Sequence, residues 1–168
     1  LCVSIMGDVL ERARKYNSFV RLDMEASNYT QKTLELFENR LYPEFRGTVG
    51  VVLQSYLYRT QADVEHMNVL GARVRICKGA YKEPASVAFP EKRDVDANYI
   101  TCMQSLILHG TYPGIATHDE VISEMGKQCA REKDIKPDRL EFQMLYGVRR
   151  DLQESIGREG WRMHSYGP

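Results

Sequence analysis

Apolar residues recur every three or four positions in six stretches of the chain, and this spacing predicts six helices. The longest stripe comprises Val95, Tyr99, Cys102, Met103, Leu106 and Ile107. The other five are Val9, Leu10 and Ala13; Leu34, Phe37 and Leu41; Val64 and Met67; Val121, Ile122, Met125 and Cys129; and Val148, Leu152 and Ile156. Two helix starts carry capping signals, because Thr60 with Asp63 resembles a capping box and Asp119 directly precedes its helix.

Short runs of β-forming residues lie between these stripes and predict seven strands. The runs are Cys2 to Ile5, Ser18 to Asp23, Thr48 to Gln54, Arg73 to Cys77, Gly114 to Thr117, Leu140 to Gln143 and Trp161 to His164. Alternating strands and helices are typical of an α/β fold with a parallel sheet, either doubly wound or closed as a (βα)8 TIM-type barrel. Because a closed barrel usually needs about 200 residues or more, we expect residues 1–168 to form a single domain with an incomplete or trimmed barrel. An open α/β sheet is the alternative.

The composition limits the possible functions. With 168 residues, 43% hydrophobic and 27% charged, the chain has the profile of one folded domain. Its 23 basic residues balance 23 acidic ones, which argues against a duplex nucleic-acid partner. No apolar run approaches 18 residues, so we expect neither a membrane span nor a signal peptide. Cys2, Cys77, Cys102 and Cys129 lack the spacing of a metal site and are expected to be buried thiols in a reducing compartment.

Five predicted strands are followed directly by polar or glycine-containing segments. These segments are Asp23-Met24-Glu25, Gln54, Lys78-Gly79-Ala80-Tyr81, Thr117-His118-Asp119 and Gln143. Ligands of parallel α/β folds bind at the carboxyl edge of the sheet. One polar strand end is ordinarily the start of a surface loop, but five together predict a binding site.

Arg75 lies inside its strand between Val74 and Ile76, so its side chain points to the face opposite both neighbours. A buried guanidinium needs an anion or an electron-rich ring. A structural ion pair with Asp23 or Glu25 is one interpretation, and a role in a site is the other.

The remaining candidates also have alternative interpretations. Lys78 could be a Schiff-base amine, a phosphate contact or a solvated loop lysine, and Cys77 fits a buried thiol better than a nucleophile. His118 offers a hydrogen-bonding or proton-shuttling imidazole. The other histidines show no paired metal spacing, so no metal is expected. Glycine-rich phosphate loops are also missing, so a flavin or nicotinamide would have to bind without a Rossmann fingerprint.

Read in order, the strand ends FVRLDME, GVVLQSYLYRT, RVRICKGAY, IATHD and LEFQMLYG resemble the proline dehydrogenase family, from about Val3 to about Trp161. The resemblance implies a (βα)8 barrel that binds FAD and oxidises L-proline to Δ1-pyrroline-5-carboxylate, the first step of proline catabolism. It further implies electron transfer to a quinone, and a cytoplasmic or mitochondrial-matrix location with peripheral contact to the membrane.

The resemblance also assigns roles to residues. It places Asp23 and Arg75 in the active centre, with Arg75 near the hydride-accepting edge of the flavin. The positions that it places around FAD are Met24, Gln54, Arg75, Lys78, Gly79, Ala80, Thr117, His118 and Gln143. Tyr81 is expected to border the substrate.

The chain departs from the family pattern at both ends. The family carries a lysine in the strand that LCVSI resembles, and an Arg-Arg pair after a YxPxG strand, whereas this chain has neither. We therefore expect a shortened molecule that lacks the first strands, one loop and the last helix. Two other functions remain open: a Schiff-base lyase that uses Lys78, and a non-catalytic scaffold that binds flavin.

Overall fold

A computed structural model describes residues 2–167, with the side chain of Cys2 outside the description. Six strands alternate with helices along the chain, as the sequence predicts. The strands are β1 (Val20–Leu22), β2 (Val49–Gln54), β3 (Arg73–Cys77), β4 (Gly114–Ala116), β5 (Glu141–Leu145) and β6 (Arg162–Tyr166). All neighbouring strands pair in parallel and follow chain order from β1 to β6.

Seven α-helices connect or flank these strands. They are α1 (Cys2–Lys15), α2 (Ser27–Leu36), α3 (Tyr42–Phe45), α4 (Thr60–Leu70), α5 (Lys92–His109), α6 (Glu120–Glu132) and α7 (Arg150–Arg158). A π-helical turn, Phe37–Leu41, joins α2 to α3, and a 3-10 turn, Pro137–Arg139, precedes β5. Proline cannot donate a backbone hydrogen bond, and Pro43 is the second residue of α3, two positions after the end of the π-helical turn. Within residues 2–167, no helix is both long enough and apolar enough to cross a membrane.

The sheet curls into an incomplete barrel. Arg21 of β1 and Glu141 of β5 approach to 3.6 Å, although three strands lie between theirs. In a flat sheet these strands would be about 19 Å apart, at roughly 4.8 Å per strand, which is too far for two side chains to bridge. The concave face therefore brings side chains from distant strands together, as expected for a trimmed TIM-type barrel.

The core lies between the convex face of the sheet and its helices. All six residues of β2 are buried. In β3, Val74 and Ile76 are fully buried, whereas Arg75 points to the other face, as alternation predicts. The buried Tyr99 of α5 donates a hydrogen bond to the carbonyl of Ile76 at 3.1 Å. Helix packing thus fixes the strands whose carboxyl ends form the site.

The predicted strand from Cys2 to Ile5 is wrong, because these residues begin α1. Val3, Met6, Leu10 and Ala13 recur at helical spacing and carry the partly or fully buried face of this helix, while Ile5 is half exposed. The match of this segment to a lysine-bearing strand is wrong for the same reason.

The capping box predicted at Thr60 is also not formed. Thr60 is already inside α4, and its hydroxyl donates to the carbonyl of Gln54. Asp63 instead pairs with Arg59 at 2.7 Å. The cap predicted at Asp119 is confirmed, since its carboxylate accepts hydrogen bonds from the backbone of Val121 and Ile122.

Candidate active site

A cavity of about 530 Å³ opens at the carboxyl ends of the strands. This volume is in the range of small-molecule sites, roughly 300–1,000 Å³. Ten of the eleven residues that the sequence assigned to a site line this cavity: Asp23, Met24, Gln54, Arg75, Lys78, Gly79, Ala80, Tyr81, Thr117 and His118. Four of the five polar strand ends therefore meet at one cavity, as expected for a parallel sheet.

Gln143 is the exception. It lines a neighbouring cavity of about 330 Å³ on the concave face, and its amide donates to Glu141. Arg75 and Tyr166 line both cavities. Gln143 therefore lies next to the main cavity and not on its wall, and its contact with FAD stays a prediction.

The sequence did not single out Tyr166, assigned Asp119 to a cap and a polar strand end but to no role in the site, and noted Cys77 only as a thiol, yet all three line the main cavity. The predicted last strand ended at His164, two residues short of Tyr166, which belongs to β6. Burial raises the pKa of the Cys77 thiol to about 11, although Arg75 opposes this shift. Cys77 therefore stays protonated at neutral pH, as predicted for a structural thiol.

Arg75 and Asp23 form an ion pair at the cavity. Nη2 of Arg75 lies 2.9 Å from Oδ1 of Asp23, which also accepts a hydrogen bond from the backbone of Met24. The guanidinium carbon lies 4.9 Å from the centre of the Tyr166 ring. Its Nε is buried without a hydrogen-bond partner. The ion pair that the sequence offered as one interpretation is thus present, and it holds a cation at the wall of the cavity.

Lys78 is held between two carboxylates. Its Nζ lies 2.6 Å from Oδ1 of Asp96 and 3.2 Å from Oδ2 of Asp119. Burial acts to raise the pKa of Asp96, but hydrogen bonds from Lys78 and Lys92 outweigh it, so the net pKa is lowered. The pKa of Asp119 is also lowered, so both carboxylates stay ionised and hold the Lys78 side chain between them. An amine held by two carboxylates is a poor nucleophile.

His118 is fixed by the backbone of β5. Its Nε2 accepts a hydrogen bond from the N–H of Leu145 at 3.0 Å. Burial, followed by the nearby charge of Arg149, lowers the pKa of the imidazole. The ring is therefore neutral, with its proton on Nδ1 as the one remaining donor.

Two further features shape the cavity wall. Oε1 of the buried Gln54 has no hydrogen-bond partner, while its Nε2 makes long contacts with the carbonyls of Met24 and Glu25. Gly79 has a φ of +108°, and a Cβ added there would lie 2.7 Å from the ring of Tyr56. Only glycine fits this position. In residues 2–167, no three His, Cys, Asp or Glu side chains converge as metal ligands would.

The sequence of this chain is similar to those of known proteins. The family model described as proline dehydrogenase matches residues 5–168. The chain is similar to proline dehydrogenase 2 of Bacillus subtilis, with 44% identity over 163 residues, which is 97% of this chain and 53% of the relative. It is equally similar, at 44% identity, to proline dehydrogenase of Deinococcus radiodurans, across 95% of this chain and 52% of the relative. The chain spans about half the length of these relatives.

Solved structures give the same result for the fold. Proline utilization A from Bdellovibrio bacteriovorus, inactivated by N-propargylglycine, superposes with a TM-score of 0.89 at 29% identity, over 99% of this chain and 20% of that one. Proline utilization A from Corynebacterium freiburgense gives 0.79 at 24% identity, over 94% and 20% of the two chains. The curled six-stranded sheet therefore matches part of a larger barrel protein.

Proposed function

The chain belongs to the proline dehydrogenase family, and on this premise we propose that it carries a flavin site and part of the substrate site of an enzyme that oxidises L-proline. One observation carries the proposal. The carboxyl ends of β1, β2, β3 and β4 present Asp23, Gln54, Lys78 and His118 to a single cavity. In parallel α/β barrels, the active site lies at the carboxyl ends of the strands.

The residues of the cavity fit a flavin. Its ring system presents both N–H donors and carbonyl acceptors, and the buried Oε1 of Gln54 and Nε of Arg75 are an acceptor and a donor without partners. Gly79 has no side chain to cover its backbone, and a side chain there would clash with the ring of Tyr56. We assign Met24, Gln54, Lys78, Gly79, Ala80, Thr117 and His118 to FAD, with Gln143 as a more distant neighbour. FAD, when bound, supplies an acceptor for the hydride that leaves the proline carbon next to the ring nitrogen.

Arg75 is the residue that we assign to electrostatic stabilisation. A fixed cation favours a state in which negative charge develops nearby, and it does so most strongly where water is excluded. Only 13% of the Arg75 side chain is exposed. Asp23, directly after β1, and the ring of Tyr166 in β6 hold the guanidinium in place. Its position is therefore set before a ligand binds.

Other residues suit an amino-acid substrate. Asp23 and Glu25 bring two carboxylates to the cavity, and the hydroxyl of Tyr81 donates to Glu25. A carboxylate at the mouth can pair with the cationic nitrogen of proline or accept its proton. We propose that Tyr81 borders the substrate, that the product is Δ1-pyrroline-5-carboxylate, and that a membrane quinone reached by peripheral contact receives the electrons.

The visible absorption spectrum of the purified protein tests this function. We expect a bound flavin, and bleaching of its absorbance when proline is added without oxygen. A protein that takes up no FAD would contradict the proposal. A flavin that stays oxidised with proline would favour the non-catalytic scaffold instead. Borohydride trapping of a carbonyl compound on Lys78 would favour a lyase, which the two carboxylates around this lysine oppose.

A further inference from the structure

Residues 79–83, here called the mouth loop, are held by side chains alone. In the described chain, no hydrogen bond between two backbone groups outside helices and strands involves these five residues. The chain on either side is anchored, since the N–H of Tyr56 donates to Lys78 at 2.9 Å and the N–H of Tyr58 donates to Val87 at 3.1 Å. Gly79, Ala80 and Tyr81 of the mouth loop line the cavity. Side-chain contacts must therefore set the shape of this wall.

Glu83 makes the most extensive of these contacts. Its Oε1 accepts a hydrogen bond from the backbone N–H of Ser27 at 2.7 Å, and its Oε2 accepts one from the hydroxyl of Ser27 at 2.5 Å. Oε1 also lies 3.5 Å from the hydroxyl of Tyr56. The hydrogen bonds from Ser27 lower the pKa of Glu83, so the carboxylate is ionised at neutral pH.

This carboxylate takes the place of a helix cap. Ser27 is the first residue of α2, and Ala26 before it has no side-chain acceptor for the free backbone N–H groups. Glu83 supplies that acceptor from 56 residues away in the chain. A negative charge at a helix N-terminus is favourable. The mouth loop is therefore fastened to a stable element of the barrel.

The same loop is seated at two further points. Gly79 lies against the ring of Tyr56, whose hydroxyl is the one that approaches Glu83. Tyr81 donates its hydroxyl hydrogen bond to Glu25, two residues before Ser27. Two contacts thus join the loops after β1 and β3. The Tyr81–Glu25 hydrogen bond lies at the cavity, and the Ser27–Glu83 hydrogen bonds lie outside it.

We propose that Glu83 is a positioning residue, which ties the mouth loop to the N-terminus of α2 and thereby holds Tyr81 at the substrate side of the cavity. The inference rests on the proposed oxidation of proline. Glu83 itself does not line the cavity, and it acts through Tyr81 and Gly79.

Steady-state kinetics with Glu83→Gln test the role in the reaction. The variant keeps the size of the side chain but loses the charge. We expect the KM for proline to rise about tenfold, equivalent to about 1.4 kcal/mol, while kcat at saturating proline changes by no more than about threefold. In a Tyr81→Ala background the same substitution should change KM by less than about twofold, because coupled residues are not additive.

Glu91→Gln is the matched control, since Glu91 is exposed and outside the cavity, and its KM should equal that of the unmodified chain. An unchanged KM in Glu83→Gln would overturn the proposal. A rise of equal size in the presence and absence of Tyr81 would also overturn it.

Limited trypsin digestion tests the tie without any need for activity. Lys82 is exposed in the mouth loop, and Ser27→Ala removes one hydrogen bond to Glu83 without changing the Lys82–Glu83 bond. We expect cleavage after Lys82 to be roughly threefold faster or more, because proteolysis follows the population of the open form. Ser4→Ala in α1 is the control. Equal rates in the two variants would overturn the proposal, whereas faster cleavage in a chain that does not oxidise proline would contradict only the proposed function.

Discussion

Nη2 of Arg75 lies 2.9 Å from Oδ1 of Asp23, and this contact joins a largely buried strand side chain to a carboxylate that is 70% exposed. The two residues are 52 positions apart in the chain, and β2 lies between β3, which carries Arg75, and β1, which Asp23 directly follows. Asp23 at the mouth thereby fixes a cation deeper in the site. Arg75 is consequently the residue at which a change should separate chemistry from binding.

Arg75→Met should slow flavin reduction by proline on the order of 10²-fold, by analogy with the loss of one oxyanion-hole donor. The apparent affinity for proline should change less, because the interaction grows only as negative charge develops. Anaerobic stopped-flow absorbance measures both quantities.

Arg75→Lys should be intermediate, since it keeps the charge but loses the planar fork. The exposed Arg40 provides the control, and Arg40→Met should leave both quantities unchanged. If Arg75→Met reduced flavin at the unmodified rate, Arg75 would be only a structural partner of Asp23.

Removing Lys78 and His118 together should release the flavin. A lost hydrogen bond to a charged group such as Lys78 costs roughly 1.5–3 kcal/mol, and one to the neutral His118 about 0.5–1.5 kcal/mol, so the Lys78→Ala, His118→Ala double variant should be purified largely without FAD. The ratio of flavin to protein absorbance measures this. Full occupancy in the double variant would show that these two positions do not hold the cofactor.

Asp119 combines two tasks that substitution can separate. It caps α6 and pairs with Lys78. Asparagine caps about as well as aspartate, so Asp119→Asn should keep the stability of the fold while reducing FAD affinity. Asp119→Ala should in addition lower the free energy of unfolding by about 0.5–2 kcal/mol. Urea denaturation and flavin titration of both variants check this, and equal stability of the two would contradict the capping role.

Gly79→Ala should be destabilising, since the backbone has a positive φ and the new Cβ would lie 2.7 Å from the Tyr56 ring. We expect the free energy of unfolding to fall by about 1–3 kcal/mol, together with weaker flavin retention. Gly157→Ala in α7 is the matched control, because no atom lies within 4 Å of the added Cβ. It should raise stability by up to about 1 kcal/mol. Similar effects of the two substitutions in urea denaturation would refute this prediction.

Stability should depend on the titration of His118. Its pKa is lowered in the folded state by burial and by Arg149, so the unfolded chain binds the proton more readily. The contribution of the neutral His118 ring to the free energy of unfolding is fully present above the unfolded pKa of about 6.5. This contribution is lost as the pH falls through the lower pKa of the folded state. Urea denaturation between about pH 7.5 and 5 should show a smaller decrease for His118→Gln than for the unmodified chain. His66→Gln, an exposed control, should keep the full decrease.

Local patterns were enough for most of the fold and for bringing most of the candidate residues to one cavity. The predicted and observed bounds of β3 coincide at Arg73–Cys77, because alternation and strand propensity act within a few residues. Asp119 was correctly identified as a cap for the same reason. Four of the five polar strand ends meet at one cavity because the strands are parallel, and the alternation of strands and helices along the chain predicts this arrangement.

Tertiary packing decided the features that local patterns could not. Residues 2–5 resemble a strand, yet the core face formed by Met6, Leu10 and Ala13 makes them the first turn of α1. Gln143 lines the cavity next to the main one, where its amide contacts Glu141, and the sequence did not separate the two cavities.

The contacts that hold the cavity wall were also beyond the sequence. The carboxylate of Glu83 caps α2 from 56 residues away, and the ring of Tyr166 stacks on Arg75 across the concave face. The sequence identified most of the residues that line the main cavity, because the bounds of strands and helices along the chain follow from local patterns. Only the tertiary structure decided which of them touch, because a contact between distant segments depends on how the whole sheet curls.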